Sequence, residues 1–438
     1  MLSQLLLQNP NQRILVVSQQ NTAVDNALSR FKDKNRKLVE NSVNIVRIGN
    51  PDKIEESLIE HHFDSLYKDF LAEAIEDVNC FAHKLPDKLQ NLSYQWKSVL
   101  LQMQNLHDSK VSDEFFSAML ANKNLIGATC VGLAARKKGV DYLEFDIAIV
   151  DEAGRATVPE LLIPLLRCRK VILIGDHFQL PPSIAPILRE DDAREVLPFI
   201  EEAFLEKSFF ESLFEELPES CKAILKEQFR MPPQIGDLVA DLFYTKNGER
   251  QLFNGKGYDV NTERFVFSES LYWVDVVGKQ HQPKNSTSLE NVDEAKGICR
   301  FLRQLAECSH RSINVAVITP YGAQKRKIRQ LLKAENSENE QIITLGTLKI
   351  KVDTVDGFQG SEAEVVCYST VRTQGSLKFL LDRKRLNVAC SRAKENLIFF
   401  GQSDYLKRWM PDKDEINLFH EIIERSCLTN LEALLEEL

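Results

Sequence analysis

The sequence predicts an α/β protein made of two successive halves, each built on a parallel sheet. Three observations predict it. Apolar runs of strand length, among them Phe145–Val150 and Lys170–Ile174, alternate with stretches of helical periodicity. These runs are continuously apolar, as in parallel strands covered on both faces. The 438 residues are too many for one core at roughly 100–200 residues per domain, and Pro218 interrupts the series near its middle. The expected halves are therefore 1–217 and 218–438.

Leu2–Leu7 looks like the tail of a helix. Arg13–Ser18 reads as a strand, Thr22–Phe31 as a helix and Val43–Ile48 as another strand. From about Pro51 to Lys123 the β signal is weak. Apolar spacing at Leu66, Phe70 and Ala74, and at Trp96, Val99, Leu100 and Met103, predicts two or three helices inserted into the α/β frame. The two apolar runs named above resume the frame as buried parallel strands, and Phe199–Glu216 reads as an acidic helix. In the second half, strands are expected at Ala223–Leu225, Val315–Thr319, Val352–Thr354, Glu364–Ser369 and Asn396–Gly401. Thr245–Thr287 reads as mostly irregular, with strand-like Phe265–Phe267 and Trp273–Val277. The last thirty residues read as acidic helix.

Composition narrows the class. Hydrophobic residues are 43% and charged residues 27%, ordinary for a globular chain. No apolar run reaches the ~18 residues that cross a bilayer, so no membrane partner is expected. Nine Cys without a CxxC pair favour neither a zinc ribbon nor a disulfide framework. A reducing compartment follows as the expectation: cytoplasm, or nucleus in a eukaryote. Lys and Arg number 55 against 64 Asp and Glu, a net charge of −9. That total argues against nucleic acid only weakly, because such binding depends on local basic surface.

Several short runs carry chemistry. Asp151-Glu152 directly follows the apolar run Phe145–Val150, and carboxylates at the C-terminal end of a buried strand sit where open α/β sheets bind ligands. Such an Asp helps to hold Mg²⁺ in nucleotide hydrolases, and the neighbouring acid orients the attacking water. The plainer reading is a pair of exposed loop acids. Gly175-Asp176-His177-Phe178-Gln179-Leu180-Pro181-Pro182 ends the next strand, and the Gln179 amide can position a phosphate or a water. In Gln228-Phe229-Arg230-Met231, Arg230 offers a planar fork for phosphate oxygens and Phe229 a face for stacking. Thr319-Pro320-Tyr321-Gly322-Ala323-Gln324 ends a strand and is followed by Lys325, Arg326, Lys327 and Arg329, a plausible grip on a single strand. Gln20-Asn21-Thr22-Ala23-Val24-Asp25 opens a helix, and a simple cap explains it equally well. Asp353–Glu362 is a polar loop between strands, and Arg385–Lys394 a basic helical stretch.

In this order the runs carry far more information than singly. The chain resembles the superfamily 1 helicases, in the branch of the nonsense-mediated-decay RNA helicase, senataxin and the immunoglobulin-mu-binding helicase. The family's Ser-Asn-x-Ala-Val-Asp is matched at Gln20–Asp25, its Asp-Glu-Ala-(Gly/Ser) at Asp151–Gly154 and its Gly-Asp-His-x-Gln-Leu-Pro-Pro at Gly175–Pro182. Gln-Tyr-Arg-Met appears as Gln228–Met231 with Phe for Tyr. Thr-Pro-Tyr-x-x-Gln, Thr-Val-Asp-Gly-Phe-Gln-Gly-x-Glu and Arg-Leu-Asn-Val-Ala-x-(Thr/Ser)-Arg-Ala-Lys begin at Thr319, Thr354 and Arg385.

The resemblance implies two RecA-like P-loop-NTPase domains, with ATP in the cleft between them and single-stranded RNA or DNA across both. It implies Asp151 as the Mg²⁺ ligand, Glu152 as the catalytic acid and Gln179 as the γ-phosphate sensor. Arg230 and Arg392 become γ-phosphate arginines. Phe229 takes the adenine-stacking position, and Gly360 with Glu362 the ribose and hinge position. Asn21, Ala23, Thr319, Pro320, Tyr321 and Thr354 match nucleic-acid contacts. The implied movement is 5′ to 3′, and the helices of about 51–123 correspond to a family insertion.

One family motif has no counterpart in residues 1–438: Gly-x-x-x-x-Gly-Lys-(Ser/Thr) does not occur. That loop supplies the phosphate cradle. In the family it precedes the helix whose tail Leu2–Leu7 resembles, so the expectation is a first domain truncated before Met1. The alternative is a non-catalytic nucleic-acid-binding or scaffold subunit.

Overall fold

The computed structural model describes residues 1–103, 116, 119–134, 143–182, 208–255, 267–284, 286–332, 341–358, 360–411 and 416–438. They form two compact units. One comprises 1–177 with 181–217, the other 178–180 with 218–438. No helix among the described residues is long and apolar enough to cross a membrane.

The first unit contains, in chain order, α1 (Leu2–Gln8), β1 (Ile14–Ser18), α2 (Asn21–Lys34), α3 (Arg36–Asn41), β2 (Ile45–Ile48), α4 (Phe63–Phe81), α5 (Asp87–Gln102), β3 (Leu125–Thr129), β4 (Phe145–Asp151), α6 (Val158–Leu165), β5 (Cys168–Leu173) and α7 (Phe209–Glu216). Its sheet is wholly parallel, in the order β2-β3-β1-β4-β5. Every residue of β1 and β2 is buried, because both faces of these strands are covered. Among the described residues the inserted region includes two long helices and short 3₁₀ turns. Leu100 is buried in the core, and Leu66, Ala74 and Met103 pack against it. Phe70, Trp96 and Val99 share the predicted spacing but stay exposed, so the periodic pattern is only half used.

Two expectations fail here. The strand expected at Lys170–Ile174 is parallel but not buried: Val171 is 39% and Ile174 40% exposed. Among the described residues it pairs with β4 alone and so has no second neighbour of the kind that shields an interior strand. Leu125–Thr129, not foreseen as a strand, lies between β2 and β1 in the middle of the sheet.

The second unit contains α8 (Pro233–Phe243), β6 (Leu271–Asp275), α9 (Val292–Cys308), β7 (Ile313–Thr319), α10 (Gly322–Leu332), β8 (Ile342–Leu345), β9 (Leu348–Thr354), β10 (Ala363–Ser369), α11 (Arg383–Cys390), β11 (Ala393–Gly401), α12 (Ser403–Arg408), α13 (Leu418–Arg425), β12 (Cys427–Thr429) and α14 (Leu431–Glu436). The sheet runs β8-β9-β7-β10-β11-β6-β12. All its pairings are parallel except β8 with β9. Apolar clusters cover both faces, one around Trp273, Phe399 and Leu386, the other around Tyr272, Phe301 and Phe400.

Ala223–Leu225 is not a strand. Leu225 is 88% exposed in an irregular segment, and a two-residue strand follows at Glu227–Gln228. The C-terminal stretch is not one helix either: β12 separates α13 from α14, because Cys427–Thr429 pairs with β6. The helical reading of Arg385–Lys394 stops short, since α11 ends at Cys390 and β11 starts at Ala393. The strand-like Phe265–Phe267 and the helix expected from Phe199 fall largely outside the described residues. Of those stretches the structure gives Phe267, in a bend, and the helix α7.

Candidate functional site

In the first unit the candidate residues gather at the C-terminal ends of parallel strands. Ser18, which ends β1, is in register with Asp151 on one side and Thr129 on the other. Asn21 and Ala23 follow at the start of α2, and Asp151-Glu152 closes β4. Glu152 has φ 54 and ψ 37, the left-handed region that a non-glycine residue rarely occupies. Its backbone N–H donates to Asp151 Oδ1 at 3.0 Å. Burial pushes the Asp151 carboxyl above the usual carboxylate range, and that N–H opposes the rise. Among the described residues Asp151 Oδ2 accepts no hydrogen bond.

The turn after Asp151 packs backbone to backbone against the turn after β5. Ala153 N–H donates to the Ile174 carbonyl at 2.8 Å. A Cβ on Gly175 would lie 2.8 Å from Gly154 N, so both turns need glycine for contact rather than for a special φ. Asn21 Oδ1 accepts from Arg47 Nη2 at 2.9 Å, while Arg47 Nε pairs with Asp25 Oδ1 at 2.6 Å. The polar side chain that opens α2 is thereby held from the core.

Gln179 belongs with the second unit, where several candidate residues converge. Buried Arg392 donates from Nη2 to Gln179 Oε1 at 3.0 Å, from Nη1 to the Ser361 carbonyl at 3.2 Å and from Nε to the Val388 carbonyl at 2.9 Å. Arg230 donates from Nε to Glu362 Oε2 at 3.0 Å and from Nη1 to the Ser391 carbonyl at 3.1 Å. Two arginines thus bond the neighbouring residues Ser361, Glu362 and Ser391. Gly360 beside it has φ 74. The Phe229 ring is 62% exposed and lies over the Cα of Gly255, a broad apolar face held at the surface.

Thr319 and Thr354 are partners in register at the C-terminal ends of β7 and β9. Thr319 is buried, its hydroxyl accepting from Tyr321 N–H at 3.4 Å. Pro320 and Thr354 are partly exposed. Tyr321 is 7% exposed, and its hydroxyl accepts from Arg372 Nε at 2.8 Å.

Sequence reasoning missed four residues that position these groups. Arg47 and Asp25 form the buried pair under Asn21. Asn387 donates from Nδ2 to the Phe178 carbonyl at 2.9 Å and to the Tyr244 hydroxyl at 3.0 Å, anchoring the segment that carries Gln179. Glu294 is fully buried and accepts from Ser369 Oγ at 2.7 Å, Val371 N–H at 2.9 Å and Asn291 Nδ2 at 3.1 Å. Burial raises its carboxyl to about 7. Asn387 stands inside a motif already singled out, which was a usable signal. Nothing near Glu294 in the sequence marks it.

A wholly parallel sheet with a carboxylate pair at one strand end, and a second, mostly parallel sheet in the unit that carries the Arg–Gln–Glu cluster, are consistent with a two-domain helicase fold. Comparison with known proteins agrees. Two family models, each described as an AAA domain, match the chain, one over residues 1–76 and 69–185 and the other over 205–404. An uncharacterized ATP-dependent helicase of Methanocaldococcus jannaschii is 28% identical, the match covering 90% of this chain and 62% of that protein. The DNA polymerase alpha-associated DNA helicase A of Schizosaccharomyces pombe is also 28% identical, over 97% of this chain and 60% of its own length. The ATP-dependent helicase NAM7 of Saccharomyces cerevisiae shares 28% identity, over 90% of this chain and 38% of its own. The chain thus spans about three fifths of the first two relatives. It belongs to the superfamily 1 helicases, in the branch that includes NAM7 and Sen1.

Proposed function

We propose that this chain is the motor core of an ATP-dependent helicase or translocase that moves 5′ to 3′ along single-stranded RNA or DNA. The observation that carries the reading is the pairing of Asp151 with Glu152 at the end of β4, with Glu152 held in a conformation that costs of order 1–3 kcal/mol. Such strain persists where a side chain must be aimed.

Asp151 suits a hard divalent cation: it is a half-buried carboxylate, and one of its oxygens accepts no hydrogen bond among the described residues. It would hold Mg²⁺, which when bound neutralises phosphate charge. Glu152 orients the attacking water and accepts its proton. Gln179 senses the terminal phosphate. Arg392 and Arg230, now paired with Gln179 and Glu362, exchange those partners for phosphate oxygens. The exposed Phe229 ring stacks on the adenine, and Glu362 with Gly360 meets the ribose. Asn21, Ala23, Thr319, Pro320, Tyr321 and Thr354 contact the strand.

A second reading is a non-catalytic single-strand binder, favoured by the lack of a Gly-x-x-x-x-Gly-Lys-(Ser/Thr) run in residues 1–438. ATP hydrolysis by the polypeptide extended upstream of Met1, with and without a single-stranded oligonucleotide, separates the two. The motor reading expects strand-stimulated hydrolysis that Glu152→Gln lowers by about 100-fold or more, with ATP binding retained. Strand binding without any hydrolysis selects the second reading. Full activity in Glu152→Gln would remove Glu152 from its role.

A further inference from the structure

The loop after β10 carries a feature that neither the motifs nor the family comparison assigns. Val371 has φ 68, a left-handed backbone at a β-branched residue, where it is a genuine outlier. The strain is held in place: Val371 N–H donates to the buried Glu294 carboxylate at 2.9 Å, and Arg372 N–H to the Thr370 carbonyl at 2.8 Å. This backbone turn delivers the Arg372 guanidinium onto Tyr321. Nε donates to the Tyr321 hydroxyl at 2.8 Å, and the guanidinium carbon lies 5.8 Å from the ring centroid.

The same loop then presents an aromatic ring at the surface. Leu377 and Leu380 are buried and joined by a backbone hydrogen bond of 2.8 Å. Between them Phe379 points outward and stays 44% exposed. Its ring centroid is 5.6 Å from that of Tyr321, and the Arg385 guanidinium carbon is 4.8 Å from its own centroid. Two acids make loose ion pairs with Arg385, Asp382 at 3.9 Å and Asp356 at 4.0 Å. Its charge is therefore not tied up in a close pair. A half-exposed ring with one guanidinium against it, anchored on a second ring that carries another, has the chemistry that single-strand binders use. The aromatic face takes a base, and the cations take the backbone phosphates.

We infer that Phe379 is a base-stacking residue on the single-strand path, with Arg385 against its ring and Arg372 on the neighbouring Tyr321 as the cations, and that the strained turn at Val371 sets this platform. The inference rests on the proposed single-strand binding and adds a residue to it. Stacking is indifferent to sequence, since every base offers a π face.

The test is fluorescence anisotropy of the full chain with labelled oligothymidylate, labelled oligouridylate and an abasic deoxyribose strand of the same length. The expected result is that Phe379→Ala weakens binding to the base-bearing strands about 5- to 150-fold, and binding to the abasic strand by less than about twofold. Phe379→Trp is expected to keep the affinity, with indole fluorescence quenched by base-bearing strands only. The ring is half-exposed, so thermal melting of Phe379→Ala should match the parent and separate a binding defect from unfolding. Unchanged affinity of Phe379→Ala for oligothymidylate and oligouridylate would overturn the stacking role and leave the motor reading standing. An equal loss on abasic and base-bearing strands would also overturn it, because the defect would then lie in backbone contact. A parent that binds none of the three strands would remove the proposed function and this inference together.

Discussion

Asp25 in the first unit and Glu294 in the second are buried acids bonded to groups that position candidate nucleic-acid residues, and the two are satisfied in opposite ways. In the first unit Asp25 meets a cation. Arg47 Nε lies 2.6 Å from Asp25 Oδ1, with both side chains almost fully buried, and Asp25 Oδ2 accepts from Glu55 N–H at 3.1 Å. In the second unit Glu294 contacts only neutral donors, from Asn291, Ser369, Thr370 and Val371. The Asp25 pair depends on its partner's charge, because removing one member strands the other. Glu294 depends on pH, because burial without a counter-charge disfavours the ionised form. Both acids hold functional geometry, Asp25 by locking the arginine that bonds Asn21, and Glu294 by fixing the strained turn at Val371.

The largest effect is expected where the charge pair is broken. Arg47→Ala leaves Asp25 buried and unpaired, removes the bond to Asn21 and opens a void under β2. A loss of about 3–5 kcal/mol is expected, measured by chemical denaturation followed at the first unit. Replacing both partners by apolar residues, Asp25→Leu with Arg47→Met, should return most of that stability. If the single and double variants are equally unstable, packing rather than charge pairing holds this site. Asn21 loses its anchor in both variants, so single-strand affinity should stay reduced even where stability returns.

Next is Glu294→Gln. The folded carboxyl is raised to about 7 from an ordinary 4.5, so between those values the folded chain holds a proton that the unfolded chain has released. Stability from this group is fully present below 4.5, declines as pH rises through the window and is lost above about 7. Glu294→Gln cannot titrate. The parent should therefore lose a few kcal/mol relative to the variant between about pH 4.5 and pH 7, read as a pH-dependent change in the difference between their denaturation midpoints. Parallel pH profiles would show that Glu294 keeps one protonation state throughout.

What the sequence made readable was side-chain identity at strand ends. Asp151 and Thr319 stand out because they end apolar runs, and Gln179, Arg230 and Arg392 because they stand in short motifs whose order along the chain matches a family. Backbone strain was hidden, since nothing about a valine announces φ 68 at position 371. Leu125–Thr129 was missed as a strand because Gly127 and Ala128 dilute its β signal. The structure explains the glycine: a Cβ there would lie 2.5 Å from Leu28 Cδ1, so α2 packs too closely onto β3 for any side chain. Leu225 and Val171 mislead in the other direction, both apolar and both exposed, because hydrophobicity does not reveal whether a strand gains a second neighbour. Arg372 and Phe379 escaped notice because their meaning lies in contacts with Tyr321 and not in a run of sequence.

The smallest effect sharpens the contrast between the two buried acids. Ser369→Ala removes one of Glu294's donors, the hydroxyl at 2.7 Å, and leaves Val371 N–H and Asn291 Nδ2 in place. Ser369 Oγ also accepts from Gln324 Nε2 at 2.9 Å, so that amide loses an acceptor too. A hydrogen bond to a charged group contributes about 1.5–3 kcal/mol, and one to a neutral hydroxyl about 1. Below about pH 5, where Glu294 is protonated, the substitution should cost about 1 kcal/mol; near pH 8 it should cost about twice that. The donor stabilises the charged form, so its loss moves the midpoint of the stability profile to higher pH. A cost independent of pH would mean that the hydroxyl serves Gln324 and not the carboxylate. The strained turn beside Tyr321 would then be tied to Glu294 by the Val371 amide and the Thr370 hydroxyl.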